Sequence, residues 1–440
     1  MSAIADREAF LREFYNALAD RPLEPDSDFY EPLYEGTETD PVEHLATTIE
    51  WRRLGSVQLF SGFRGTGKST ELRRLRRRLI DNGAKVGLCP MESYLNLTTK
   101  LDISDFLVTL AGAFGEALAE PDMLGEDSAP LEYWSRFWRF LEKTRISIDG
   151  SGSPTDDANA LKLNLKSDPS FRLRVQEHLK GHIGQLTEDV RGFMTDGVKA
   201  LRARHGDDVK IVLILDSLEQ IRGTSVNAGE VQSSVEQVFM GHHDKLRFGG
   251  LHMVYTVPPW LKILSGGVEG LYDDGQLIPC LKVREQQGGP SREGLDRVER
   301  IIARRGDWRV LLGERERLDA LALKSGGYLR DLFRLVQSCL QRARNPAIAQ
   351  GRLVELAIDD LRNDYLPIAN ADASWLNEVR RTHRASLPTG AELPRLTRFF
   401  DNHLVLCYRN GTEWFDVHPI IEDDVVAQVK LERERASAGS

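Results

Sequence analysis

The sequence predicts an α/β protein built on a parallel sheet with helices on both faces, followed by a helical segment and a small mixed module. Three observations predict it. Short apolar runs alternate with helix-periodic stretches from Ser56 to Val283, with no hairpin signal among them. A glycine-rich loop, Ser61 to Ser69, lies between one such run and a helix. The stretch V-K-I-V-L-I-L (209–215) is an aliphatic run ending in Asp216, the pattern of a strand buried on both faces.

The bulk numbers bound the rest. At 440 residues the chain has room for two or three domains, and 41% hydrophobic with 28% charged residues is an ordinary globular composition. No apolar run is long enough to span a bilayer, and the first residues lack a basic stretch followed by an apolar core. The four cysteines, Cys89, Cys280, Cys339 and Cys407, show no metal-ligand spacing and read as reduced core residues. A cytoplasmic protein without membrane contact is expected. The net charge of −9 argues against non-specific coating of nucleic acid.

The N-terminal segment, 1–55, holds a helix over 4–19, a loop rich in Pro and Asp, and a helix from Pro41 to Arg53 with Asp40 as its cap. The core is expected over 56–290. Ser56–Phe60 reads as its first strand. Gly62, Gly65, Gly67, Lys68 and Ser69 then fit G-x-x-x-x-G-K-[ST], a phosphate-binding loop. Glycines let the backbone N–H groups converge on one anion and leave room for its oxygens. The candidate binding set is Gly62, Phe63, Arg64, Gly65, Thr66, Gly67, Lys68, Ser69 and Thr70. Lys68 supplies a point charge near the β- and γ-phosphates of a bound triphosphate, and the Ser69 hydroxyl is a candidate Mg²⁺ ligand. Leu72, Leu75 and Leu79 mark one face of the helix that follows.

A second strand is expected over 84–93 and a helix over Ile103–Leu118. An insertion covers 120–205. It includes the aromatic stretch 131–143, read as core or as a partner-docking face, two strands at 145–149 and 161–166, and helix from 168 to about 204. Asp216 would close the third strand within reach of the Mg²⁺ shell. The fourth strand, 251–257, ends near Thr256, a candidate for holding the attacking water. The fifth is 277–283. A helical lid spans 291–370, with Arg330 and Arg334 one turn apart as candidate γ-phosphate cations. A helix near Glu392–Asn402 and a hairpin turning at Asn410-Gly411 give a winged-helix-like module over 371–430. Residues 431–440 are expected to be a disordered tail.

Taken in order, G-F-R-G-T-G-K-S, I-L-D-S-L-E, Y-T-V-P-P, S-G-G-Y-L-R-D-L and the hairpin-bearing tail resemble the AAA+ and STAND group of P-loop ATPases, in the branch of origin-recognition and signalling ATPases. The resemblance implies the strand order 5-1-4-3-2 and ATP with Mg²⁺ held by Lys68, Ser69 and Asp216. It also implies that Thr256 and Arg330 sense the γ-phosphate. In such proteins the segment before the loop covers the adenine, a role open to Tyr30, Pro32 and Tyr34 beside plain loop packing. Two departures matter. Ser217 stands where many members place a catalytic acid, leaving Glu219, or more weakly Glu92. Between Thr256 and Leu277 there is Lys262 but no arginine to serve as a finger in a ring. The resemblance therefore implies a slowly hydrolysing switch acting with a separate protein effector or sensor, by analogy one of a prokaryotic defence system, with homo-oligomerisation open. The alternative is a DNA-bound initiator or transposition-type ATPase. Its support is the hairpin module and the arginine run from Arg73 to Arg78, which also reads as a solvated helix face. A non-hydrolysing loop is the third reading, on Ser217 alone.

Overall fold

The computed structural model describes residues 2–34, 40–125, 166, 182–224, 226–264, 267–386 and 392–438. The aromatic stretch 131–143 and the strands expected at 145–149 and 161–166, Lys166 apart, lie outside the described residues. The chain forms two compact units. One comprises Pro41–Gly62 and Glu71–Leu277, the other Met1–Asp40, Phe63–Thr70 and Ile278–Ser440. Residues 291–370 and 371–430 both fall in the second of these.

The first unit is built on five strands, β1 (Ser56–Gly62), β2 (Lys85–Pro90), β3 (Ile211–Asp216), β4 (His252–Val257) and β5 (Asp274–Ile278). Their order is β2-β3-β4-β1-β5, the expected 5-1-4-3-2 read from the other edge. β1 pairs parallel with β4, β4 with β3, and β3 with β2. Every residue of β1, β3 and β4 is buried, as their aliphatic composition requires of strands covered on both faces. The Ile103–Leu118 helix is almost wholly buried, and packs on β2 and on the Ile183–His205 helix.

Two strands are shorter or displaced relative to expectation. β2 stops at Pro90, and Met91–Ser93 form a single 3₁₀ turn instead of continuing it. β5 covers Asp274–Ile278, not 277–283. Pro279 has no N–H to extend a ladder. The amides beyond it turn elsewhere: Cys280 donates to the Cys407 carbonyl and Leu281 to that of Gly327.

The second unit is mainly helical. The Ser2–Ala17 helix packs on the Leu329–Arg342 helix, and Arg7 donates to the Ala343 carbonyl at 2.7 Å. Helices Arg292–Ala303, Arg315–Ser325 and Leu329–Arg342 follow the expected periodicity, the last burying Leu332, Leu335, Val336, Cys339 and Leu340. A short helix Trp308–Leu312, capped by Asp307, and a longer one, Gln350–Tyr365, complete the bundle. The C-terminal part runs helix (Asn370–Thr382), helix (Leu393–Asp401), strands β6 (Val405–Asn410) and β7 (Thr412–Val417), and helix (Glu422–Ala438). β6 and β7 are antiparallel around Gly411. The tail expected to be disordered is helical through Ala438, because Val425 and Val429 are buried and the helix packs along Asn370–Thr382. All four cysteines are buried free thiols.

Candidate functional site

The glycine loop leaves β1 at Gly62 and enters the Lys68–Asp81 helix at Lys68. Gly65 and Gly67 have φ of +87° and +93°, a region that side chains rarely occupy. A methyl group on Gly67 would meet no atom within 4 Å, so that side of the loop is open to a ligand. A helix N-terminus and consecutive loop amides are the donor set an anion takes. The Lys68 ammonium is 4% exposed and donates to the Phe63 carbonyl at 2.7 Å. The Thr66 hydroxyl donates to the same carbonyl at 2.9 Å. Thr70 accepts the Leu23 amide, which ties the loop's end to the N-terminal segment. Ser69 stands half-buried at the second residue of the helix.

The other face of the loop is covered. A methyl on Gly65 would lie 2.9 Å from the Arg330 side chain and 3.0 Å from the Tyr328 hydroxyl. Arg330, expected to await a γ-phosphate, donates through Nε to Asp20 at 2.6 Å. Burial opposes its charge, but Tyr328 and Asp20 hold its pKa above the ordinary value. Arg334 is drawn away altogether, to Asp331 and Asp364. The Tyr328 hydroxyl donates to the Arg64 carbonyl at 2.5 Å. That O–H is spent, so the His403 Nε2 at 3.1 Å is the donor in the second bond to Tyr328. His403 stacks on Tyr328, and both His403 and Phe400 lie against Phe63. The sequence flagged neither Tyr328 nor His403. Tyr328 directly follows the glycine pair that ends a helix, a usable cue; His403 has no local signal.

Burial lowers the His403 pKa from 6.5 to about 3, with the Arg330 charge a further cause, so the ring is neutral at physiological pH. The folded chain therefore binds fewer protons here than the unfolded chain, and the associated stability is lost as pH falls from about 6.5 towards 3. The melting temperature is expected to drop through that window, and His403→Gln to make the drop shallower. His252 on β4, lowered to about 4 by burial, leaves a residual slope in the variant.

In the sheet unit, the parallel pairings bring the carboxyl ends of β1, β4 and β3 to one edge. The chain therefore enters the glycine loop from the same edge at which β3 ends in Asp216. Asp216 is 8% exposed and accepts the Ser217 amide at 2.7 Å. Ser217 has φ +72° and is buried. Glu219 sits in the 3₁₀ turn Leu218–Gln220, half-buried. Glu92 is exposed and accepts from Gln220, an unpromising place for a base. The Thr256 hydroxyl, fully buried, donates to the Leu215 carbonyl at 3.1 Å and accepts the Leu218 amide at 2.9 Å. A hydroxyl has one proton, and here it is given to Leu215. Tyr34 donates to the Pro279 carbonyl and is buried, in keeping with plain loop packing.

Ser69 and Asp216 offer oxygen donors, the hard ligand type Mg²⁺ takes, and Mg²⁺ commonly arrives with substrate phosphates. Among the described residues no group of three or more His, Cys, Asp or Glu gathers to hold a metal unaided. No helix among them is long and apolar enough to cross a membrane.

No protein-family model matches the chain, and no curated protein matches its sequence. Among solved structures, it is similar to the ORC2 protein of Aeropyrum pernix in ADPNP-ADP complexes, at 11% identity and TM-score 0.42 over 97% of this chain and 98% of that one. The ADP form of the same protein gives 0.41 at 11% identity, with the same coverage. A Walker-type ATPase of Pyrococcus abyssi gives 0.41 at 14% identity, over 93% of this chain and 99% of that one. The fold assignment rests on the chain's own strand order and on its strand–loop–helix.

Proposed function

We propose that the chain binds ATP with Mg²⁺ and acts as a slowly hydrolysing switch whose nucleotide state governs assembly with a protein partner. One observation carries this reading: the glycine loop opens a helix at Lys68 from the sheet edge where β3 ends in an acid. The loop amides and Lys68 bind the phosphates; Ser69 and Asp216 order the metal that accompanies them. Mg²⁺ supplies charge neutralisation on the phosphate oxygens when bound. Glu219 is the acid nearest in sequence to orient water, and a serine at position 217 in place of an acid favours low turnover. Arg330, now on Asp20, is a cation that a γ-phosphate would have to recruit. The STAND-type assignment, the winged-helix reading of the C-terminal helices and hairpin, and a role in antiviral defence belong to the same proposal and rest on resemblance.

The DNA-bound alternative finds less support. Arg395 and Arg398 share Asp372, with Glu392 also beside Arg395, and Arg409 pairs with Glu413, so these three arginines face carboxylates of the module itself. Size-exclusion chromatography of the wild type with its co-expressed partner, in ADP and in a non-hydrolysable ATP analogue, tests the switch. An elution shift between the two is expected in the wild type and absent in Lys68→Ala. One profile in every state contradicts the switch.

A further inference from the structure

We infer that Thr256 is a positioning residue that clamps the turn carrying Asp216 and does not touch nucleotide. The inference rests on the reading of Asp216 as the acid of the Mg²⁺ shell, and departs from the γ-phosphate role that resemblance alone implies for Thr256. β3 ends at Asp216, and the chain reverses through left-handed Ser217 into the Leu218–Gln220 turn. A non-glycine residue at positive φ costs free energy, so something must hold the reversal. The neighbouring strand supplies it. Thr256 lies on β4, which pairs with β3 through Leu215↔Tyr255. From there its one hydroxyl spans the reversal, donating to Leu215 before Asp216 and accepting from Leu218 after Ser217. The Ser217 amide, between these two anchors, donates to the Asp216 carboxylate at 2.7 Å. The clamp thus fixes both flanks of the acid, and through the Ser217 amide its orientation. Thr256 is 0% exposed, so no water replaces the hydroxyl if it is removed. Outer-shell bonds of this type set how well a carboxylate meets a metal.

The test compares Thr256→Val, which keeps the shape and removes the hydroxyl, with Thr256→Ser, which keeps the hydroxyl. Affinities for ATP and ADP are measured with Mg²⁺ and with EDTA, and amide exchange is followed at Leu218. In Thr256→Val the gain in ATP affinity that Mg²⁺ confers is expected to fall roughly tenfold, while affinity in EDTA stays within about twofold. Leu218 is expected to exchange roughly tenfold faster, with or without nucleotide. Thr256→Ser restores both. A selective loss of ATP over ADP affinity in EDTA would show direct γ-phosphate contact and overturn the inference, as would unchanged Leu218 exchange. A wild type that binds neither nucleotide overturns the underlying functional reading instead, and the Leu218 exchange then decides the clamp by itself.

Discussion

Lys68→Ala is expected to reduce phosphate release by roughly 10²–10³-fold, to near background, and to abolish measurable ATP binding at micromolar protein. The ammonium sits at the first helical residue, 4% exposed, with a loop carbonyl 2.7 Å away as its partner. Phosphate oxygens are charged acceptors for that ammonium, and charge-assisted bonds are about twice as strong as neutral ones. Alanine removes this gain, while the Thr66 hydroxyl remains on the Phe63 carbonyl. The loss should therefore be of function and not of fold. A melting temperature within a few degrees of wild type, measured beside the phosphate-release assay, separates the two.

Gly327→Ala is expected to carry a large stability loss, about 4 kcal/mol or more. The added Cβ would lie 1.8 Å from the Leu281 carbonyl oxygen, and Gly327 has φ +73°. The obstacle is backbone and cannot rotate away. Its segment is pinned by Cys280 donating to Cys407 and by Ser291 donating to Val283. Gly411→Ala is the control, since Gly411 has φ +74° at the hairpin turn but nothing within 4 Å of an added Cβ. It should cost only the backbone term, about 1–2 kcal/mol. Guanidinium unfolding followed by tryptophan fluorescence measures both. Equal losses would show that the Leu281 segment yields and that the S-G-G-Y turn is not a fixed point of the unit.

The sequence was most legible where geometry leaves few choices. The aliphatic run before Asp216 has the pattern of a strand buried on both faces, and β3 is one. The leucines at 72, 75 and 79 mark the buried side of the helix after the loop. The hairpin at Gly411 follows from local turn chemistry. What was missed depends on distant partners. Pro279 ends β5 early, yet the use of Cys280 and Leu281 by other elements is set by Cys407 and Gly327, far along the chain. The last helix looked like a polar tail because its anchors, Val425 and Val429, are few and its partner helix lies some fifty residues upstream. At the candidate site the loop glycines, Lys68 and Asp216 could be named from spacing. That Thr256 spends its proton on Leu215, that Arg330 leans on Asp20 and that Tyr328 reaches the Arg64 carbonyl could not. Hydroxyl and guanidinium groups reach several partners, and only tertiary structure selects among them.

The most direct test is a calorimetric titration of ATP into the wild type and into Asp216→Asn, with Mg²⁺ and with EDTA. The substitution keeps the side-chain volume and an oxygen for the Ser217 amide but removes the charge. Binding of ATP is predicted in both proteins, tightened by Mg²⁺ in the wild type alone. Absence of binding to the wild type, or an equal Mg²⁺ effect in both, would contradict a triphosphate held by the glycine loop with its metal ordered by Asp216.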